Sequence, residues 1–164
     1  MPSRRGLRLF GHPVHPMLVH LPMGLLITAP LWDLLCFVRP SGAGTWSAVG
    51  GWTVVVGCLG GLAAAVAGML DFAALPAGHP AGRAANFHLY LILAALGLYG
   101  TSALVRHGHH AAGVTAGIFG LDLLGFVLLA AGGYFGAEMV YRHGVGQETA
   151  ATPSPGAGYH EKGP

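Results

Sequence analysis

The sequence predicts an all-α membrane protein built as an antiparallel, up-and-down bundle of four transmembrane helices. The chain has 164 residues, of which 53% are hydrophobic and only 9% are charged. Soluble domains carry roughly 25% charged residues. Four long apolar stretches cover most of the chain, and an α-helix needs about 20 such residues to cross the hydrocarbon core of a bilayer. Lipid is therefore the expected main solvent of this protein.

The four predicted helices are separated by segments that favour turns. Pro and Gly are frequent at residues 39–44 and 75–83, and the break at 106–113 is rich in His and Gly. Short connections join antiparallel neighbours in a bundle. We expect an N-terminal arm at 1–16, a membrane domain at 17–143 with helices at 17–38, 46–70, 87–105 and 113–139, and a disordered polar tail at 144–164.

The basic residues predict how the bundle is oriented. Cytoplasmic loops carry an excess of Lys and Arg. If the helices alternate in direction, the side that holds both termini carries six of the eight basic residues, namely Arg4, Arg5, Arg8, Arg83, Arg142 and Lys162. Arg39 and Arg106 remain for the other side. We therefore expect a multi-pass protein of the bacterial inner (plasma) membrane with both termini in the cytoplasm.

Small residues and prolines predict how the helices pack. Residues with four-residue spacing let backbones approach closely, and they occur at Gly57 and Gly61, at Gly60, Ala64 and Gly68, at Gly113 and Gly117, and at Gly132 and Gly136. In the first helix, Pro22 and Pro30 lack N–H groups and free the carbonyls of Leu18 and Leu26. A resulting kink is expected to turn His20 into the bundle.

Histidines are concentrated on the side of the termini. Six of the ten belong there, together with two acids and four methionines. Ionisable residues within membrane helices normally face the bundle interior and mark functional sites. The members of this predicted cluster are His12, His15, His20, His79, His88, His143, Asp71, Glu138, Met17, Met23, Met69 and Met139.

Three interpretations of this cluster remain open. The first is haem b, held by two axial imidazoles for electron transfer, with His20 and His88 at matched depth and with His15 or His143 as substitutes. In that scheme Asp71 fixes an imidazole tautomer. The second is zinc or copper, bound by nitrogens from His12, His15, His20, His88 and His143. The third is a structural cluster that hydrogen-bonds to loop carbonyls and holds no cofactor.

The opposite side of the bundle carries a smaller polar group. Asp33 and Asp122 lie inside predicted helices, where a buried carboxylate is costly unless it is protonated or partnered. His107, His109 and His110 follow in the third loop. A second cofactor site or a proton path is a further interpretation of these acids.

Several function classes are disfavoured by the sequence. The net charge is only +2 and its basic residues are scattered, so there is no nucleic-acid footprint. Cys36 and Cys58 lie in apolar stretches without metal-site spacing, which predicts buried thiols. No nucleophile is paired with a base, so the chain is not expected to be an enzyme by itself.

Three motifs carry a resemblance to a known family. They are GHPVHPMLVHLPMGL at 11–25, DFAALP at 71–76 and GAEMVYRHGVG at 136–146. The chain resembles the bacterial membrane-protein family called domain of unknown function 2231, in which GHPxHP opens the first helix and YRHGVG follows the fourth. The resemblance implies four membrane helices and marks the positions His12, His15, Asp71, His88, Tyr141 and His143.

The resemblance also implies candidate partners. Family members are sometimes joined to Rieske-type iron–sulfur domains, and their layout is similar to that of small haem-binding cytochromes of the b561 type. This association with redox proteins implies a role in electron transfer. This chain lacks the Cys and His pairs of a Rieske centre, so a redox partner is expected to be a separate Rieske-type protein, a cytochrome or a quinone.

Overall fold

The computed structural model describes residues 6–108 and 113–147 as a bundle of four long helices. They are α1 (Val14–Val38), α2 (Ala43–Ala73), α3 (Gly82–Gly108) and α4 (Ala116–Tyr141), with a short 3-10 turn at Pro40–Gly42. Each of the four is long and apolar enough to span a membrane. The predicted all-α, four-helix fold class is confirmed.

The helices extend beyond most of their predicted limits. α1 begins three residues earlier than predicted, at Val14, and α3 begins at Gly82, because polar residues at a membrane surface can continue a helix past its apolar stretch. α4 starts later than expected. Gly113 has a positive φ of 67°, and the Thr115 hydroxyl accepts a hydrogen bond from the Ile118 N–H as an N-cap. His109, His110 and residues 148–164 of the predicted tail lie outside the described residues.

A small β-hairpin precedes α1. Strands β1 (Arg8–Leu9) and β2 (His12–Pro13) pair antiparallel around Phe10 and Gly11. Both turn residues have positive φ, 49° and 84°, as a type I′ turn requires. The His12 ring lies 3.0 Å from the Phe10 carbonyl through Nδ1. The GHP motif therefore builds a tight turn, and Pro13 leads directly into the helix.

Successive helices run antiparallel. Along α2, a Cβ placed on the glycines that face α1 would meet progressively earlier residues of α1: Gly50 faces Asp33, Gly57 faces Leu26 and Gly68 faces His15. Along α4 the same holds against α3: Gly125 faces Tyr99, Gly132 faces Ile92 and Gly136 faces His88. Packing is most extensive within the pairs α1/α2 and α3/α4. The bundle is thus two helical hairpins, with α1 and α3 diagonally opposite.

The predicted glycine contacts hold in part. A Cβ on Gly57 would come within 2.6 Å of Leu26 Cδ2, and one on Gly61 within 2.6 Å of Leu96 Cδ2, so a larger residue there would force these leucine side chains to move. Gly113 and Gly117 instead precede and begin α4 and have no tight neighbour. That pair serves the turn and not helix packing.

The two hairpins are related as an internal repeat. Residues 73 positions apart occupy equivalent places on α1 and α3, and residues 68 positions apart do so on α2 and α4. Identical residues at this spacing include His15 and His88, Gly24 and Gly97, Thr28 and Thr101, Gly57 and Gly125, and Gly68 and Gly136. Because α1 and α3 run in the same direction, the repeat axis lies along the bundle, as in parallel repeats of membrane proteins.

The core lies at mid-height between the hairpins. Leu26, Ala29, Val54, Ala95, Leu96, Tyr99 and Leu129 form one buried apolar cluster. α1 continues as a single helix through Pro22 and Pro30. The Tyr99 hydroxyl of α3 donates a hydrogen bond to the Leu26 carbonyl, which Pro30 leaves without an intrahelical donor.

Candidate functional site

His15 and His88 meet inside one end of the bundle, which we call the histidine end. His15 lies in the first turn of α1, and its Nδ1 is 2.8 Å from the Ala64 carbonyl of α2. Gly68, one turn further along α2, makes room for the ring, since a Cβ there would lie 2.9 Å from Cε1 of His15. The imidazole is therefore fixed between two helices.

His88 repeats this arrangement in the second hairpin. Its Nδ1 lies 2.8 Å from the Gly132 carbonyl of α4, and a Cβ on Gly136 would lie 3.1 Å from the ring. Ala64 and Gly132 are equivalent positions of the repeat, as are Gly68 and Gly136. Since a carbonyl can only accept, each contact requires a protonated Nδ1, which leaves Nε2 of each neutral imidazole as a lone-pair donor.

The two rings lie on either side of the axis that relates the hairpins, and they meet edge to face. Their centroids are 6.3 Å apart and their planes are nearly perpendicular, at 82°. Two imidazoles that bind one ion through Nε2, each at about 2.0–2.1 Å, hold their ring centres roughly 6 Å apart. The spacing therefore suits a shared ligand between His15 and His88.

The structure brings His15, and not His20, to His88. His20 is exposed on the outer face of α1. It follows His15 by five residues, which turns its side chain about 140° around the helix axis. The predicted inward turn of His20 at a proline kink is therefore not observed.

The other predicted histidines lie apart from this pair. His12 is exposed in the β-hairpin. His79 accepts from the Ala81 N–H in the connection between α2 and α3. His143 is half-buried in the turn after α4, where Gly144, with a φ of 65°, ends the helix by donating to the Val140 carbonyl. Among residues 6–108 and 113–147, no three His, Cys, Asp or Glu side chains group closely enough to hold a metal ion.

Asp71 holds the segment that precedes α1 and, within the described residues, makes no hydrogen bond to an imidazole. Its Oδ1 accepts a 2.8 Å hydrogen bond from the Leu7 N–H. The Leu7 carbonyl in turn accepts from the Val14 N–H at the start of α1. Asp71 thus ties the N-terminal hairpin to the end of α2, while backbone carbonyls take the tautomer-fixing role that the sequence suggested for it.

The opposite end of the bundle, which we call the arginine end, contains a buried ion triad. Arg106 Nη2 lies 2.6 Å from both carboxylate oxygens of Asp33 and 2.8 Å from Oδ2 of Asp122. Both aspartates are fully buried, and the Arg106 side chain is 10% exposed. Arg106 Nε also donates to Ser102 Oγ at 3.3 Å. The acids that the sequence marked as costly are therefore partnered.

Arg106 and Tyr99 are the residues that sequence reasoning missed. The predicted third helix ends at residue 105 and leaves Arg106 in the following break, but α3 continues to Gly108 and carries the guanidinium inward. The internal repeat in the sequence could have identified both residues. Arg106 is 73 positions after Asp33, as Tyr99 is after Leu26 and His88 is after His15, so all three pairs lie on facing sides of α1 and α3.

These features define a four-helix integral membrane protein with a paired-histidine site at one end and a buried ion triad at the other. The family model described as predicted membrane protein (DUF2231) matches residues 11–149, and the chain belongs to that family. No curated protein and no solved structure matches the chain.

Proposed function

We propose that this protein is a membrane electron carrier that binds haem b through His15 and His88. The observation that carries the proposal is the symmetric imidazole pair, with ring centroids 6.3 Å apart and planes at 82°. Bis-histidine haem needs two protein ligands only, since the porphyrin supplies four nitrogens. A structural zinc site needs four protein donors, so two imidazoles fit haem better.

The hydrogen bonds of the pair support metal ligation. A metal-binding histidine almost always donates its second ring N–H to a carboxylate, a carbonyl or water, which fixes the tautomer and raises ligand basicity. The Ala64 and Gly132 carbonyls supply this contact to His15 and His88. Each imidazole thus has the Nδ1 contact expected of a histidine that would bind iron through Nε2.

A flat group held by both imidazoles would lie between the two hairpins. One imidazole comes from each hairpin, and the hairpins pack less extensively against each other than within themselves. The apolar core cluster stands at mid-height, around Leu26 and Tyr99, and would shield one edge of the macrocycle from the far side. When bound, haem would exchange one electron at iron.

The distribution of charge supports a cytoplasmic histidine end. Arg8, Arg83 and Arg142 lie at this end, whereas Arg39 lies at the other end and Arg106 is neutralised within the triad. By the positive-inside rule, both termini then face the cytoplasm of a bacterial inner membrane. An electron partner such as a Rieske-type protein, a cytochrome or a quinone would approach from this end or from the bilayer.

Absorption spectroscopy tests this proposal. The full chain, expressed with ample haem and purified in detergent, is expected to show the Soret and α bands of a six-coordinate haem that sharpen on reduction with dithionite. His15→Gly and His88→Gly should each lose the six-coordinate form. Free imidazole should restore it, because the small ligand can occupy the space of the missing ring.

His20→Gly is the matched control, since it removes an exposed histidine from the same helix. Its spectrum should equal that of the wild type. A folded, monodisperse wild type without haem bands would overturn the proposal. Elemental analysis of that sample would then distinguish bound copper or zinc from a purely structural imidazole pair.

A further inference from the structure

The ion triad at the arginine end is not electrically balanced. Asp33 and Asp122 contribute two carboxylates, and Arg106 contributes one guanidinium. Fully ionised, the three groups sum to −1 at a place where both acids are completely buried. Buried charge without compensation is costly, so this site requires one more positive charge.

One oxygen of the triad has no partner. Within the described part of the chain, Oδ1 of Asp122 makes no hydrogen bond although it is buried. Both oxygens of Asp33, in contrast, accept from Arg106 Nη2. The same nitrogen reaches Oδ2 of Asp122, so the two carboxyl groups share one donor nitrogen, while Nη1 of Arg106 is buried without a hydrogen-bond partner among the described residues. Like charges so close disfavour simultaneous ionisation.

We propose that the triad is a proton-binding site in which Asp122 takes up one proton at Oδ1. Asp33 stays ionised in a two-oxygen contact with Arg106, and Asp122 carries the exchangeable proton. The step is the addition of H⁺ to a carboxylate, which gives a neutral carboxylic acid and brings the triad to zero net charge. This proposal is independent of haem binding at the other end.

Within residues 6–108 and 113–147, Asp122 faces charged or ionisable groups from three other helices. The ionisable or charged groups that face it are Asp33 from α1, Cys58 from α2, and Tyr99 and Arg106 from α3. Ser102 adds a neutral hydroxyl that is also fully buried. Of these groups, only the two aspartates are carboxyls, so the proton that balances the triad resides on the aspartate pair.

A cleft provides access from the arginine end. Arg106 lines a cleft of about 670 Å³ between α2 and α3, together with Ser47, Trp52 and His107. The triad therefore lies directly behind a surface that carries hydroxyl and imidazole groups. Protons would exchange from this side, while the apolar core closes the path toward the histidine end.

Infrared difference spectroscopy on the full chain in lipid tests the proposal. At neutral pH the wild type should show a C=O stretching band of a protonated carboxyl group that shifts in D₂O. A ¹³C label on the aspartate side-chain carboxyl should move this band. Asp122→Asn should abolish this band. Asp122→Glu should give a protonated-carboxyl band that the aspartate label no longer shifts. Glu138→Gln, at the histidine end, is the control and should leave it unchanged.

Either of two spectroscopic results would overturn the proposal. One is a folded wild type with no protonated-carboxyl band at neutral pH. The other is a band that persists in Asp122→Asn and disappears in Asp33→Asn, which would assign the proton to Asp33. Thermal stability measured in sodium, potassium and choline chlorides completes the test. A dependence on the metal cation that Asp122→Asn removes would show that a cation, and not a proton, balances the triad.

Discussion

The Tyr99 hydroxyl donates a 2.8 Å hydrogen bond to the Leu26 carbonyl, which Pro30 leaves without a helical partner. A proline in a membrane helix is tolerated where a neighbour satisfies the freed backbone group. Here the neighbour is the residue equivalent to Leu26 in the second hairpin. This one hydrogen bond thus satisfies the free carbonyl of α1 and joins the two hairpins at the centre of the core.

Removing this hydroxyl should weaken the bundle. Tyr99→Phe keeps the ring but leaves the Leu26 carbonyl buried without a donor, at an expected cost of about 1–2 kcal/mol. The measurement is unfolding of the purified protein in mixed detergent micelles. Tyr90→Phe, at a position that is 67% exposed, should have no effect. Equal stability of Tyr99→Phe and the wild type would contradict this role.

The glycines behind the two imidazoles should be intolerant of a methyl group. Gly68→Ala and Gly136→Ala place a Cβ at 2.9 Å and 3.1 Å from the rings of His15 and His88, so each ring must move from its carbonyl. We expect a loss of about 1–3 kcal/mol from overpacking, measured by the same unfolding assay.

Gly24→Ala and Gly97→Ala provide the matched controls, since a Cβ there meets nothing within 4 Å. They should be neutral or slightly stabilising, because alanine favours helix formation by about 1 kcal/mol over glycine. Wild-type stability of Gly68→Ala would show that the imidazole is not held as tightly as the contact suggests.

Arg106 should be essential for the stability of the ion triad at the arginine end. Arg106→Ala leaves two buried carboxyl groups without their cation, which is expected to cost about 3–5 kcal/mol. The exposed Arg39 serves as control, since Arg39→Ala removes a basic residue from the same end of the bundle. Adding Asp33→Asn and Asp122→Asn to Arg106→Ala should recover a large part of the stability. Simple addition of the three losses would refute a coupled triad.

Asp71 should hold the N-terminal hairpin in place. Asp71→Ala removes the acceptor for the Leu7 N–H, and we expect faster amide exchange at residues 7–14 with a small change in global stability. Hydrogen exchange read by mass spectrometry measures this locally. Glu138→Ala, which breaks only an ion pair with the mostly exposed Arg142, should leave exchange at residues 7–14 unchanged.

The sequence alone was enough to predict the membrane class and the number of helices. These follow from apolar length and turn composition, which act locally along the chain. It also identified Asp33 and Asp122 as groups in need of a partner. What composition cannot supply is the rotation of each helix about its own axis.

Packing between the helices sets that rotation and therefore which side chains meet. Five residues separate His15 from His20, yet one faces the bundle interior and the other is exposed. Arg106 on α3 reaches Asp33 across the bundle on α1 and Asp122 on the neighbouring α4. Such pairings join residues 73 positions apart on α1 and α3, and they form only once the two hairpins have packed together.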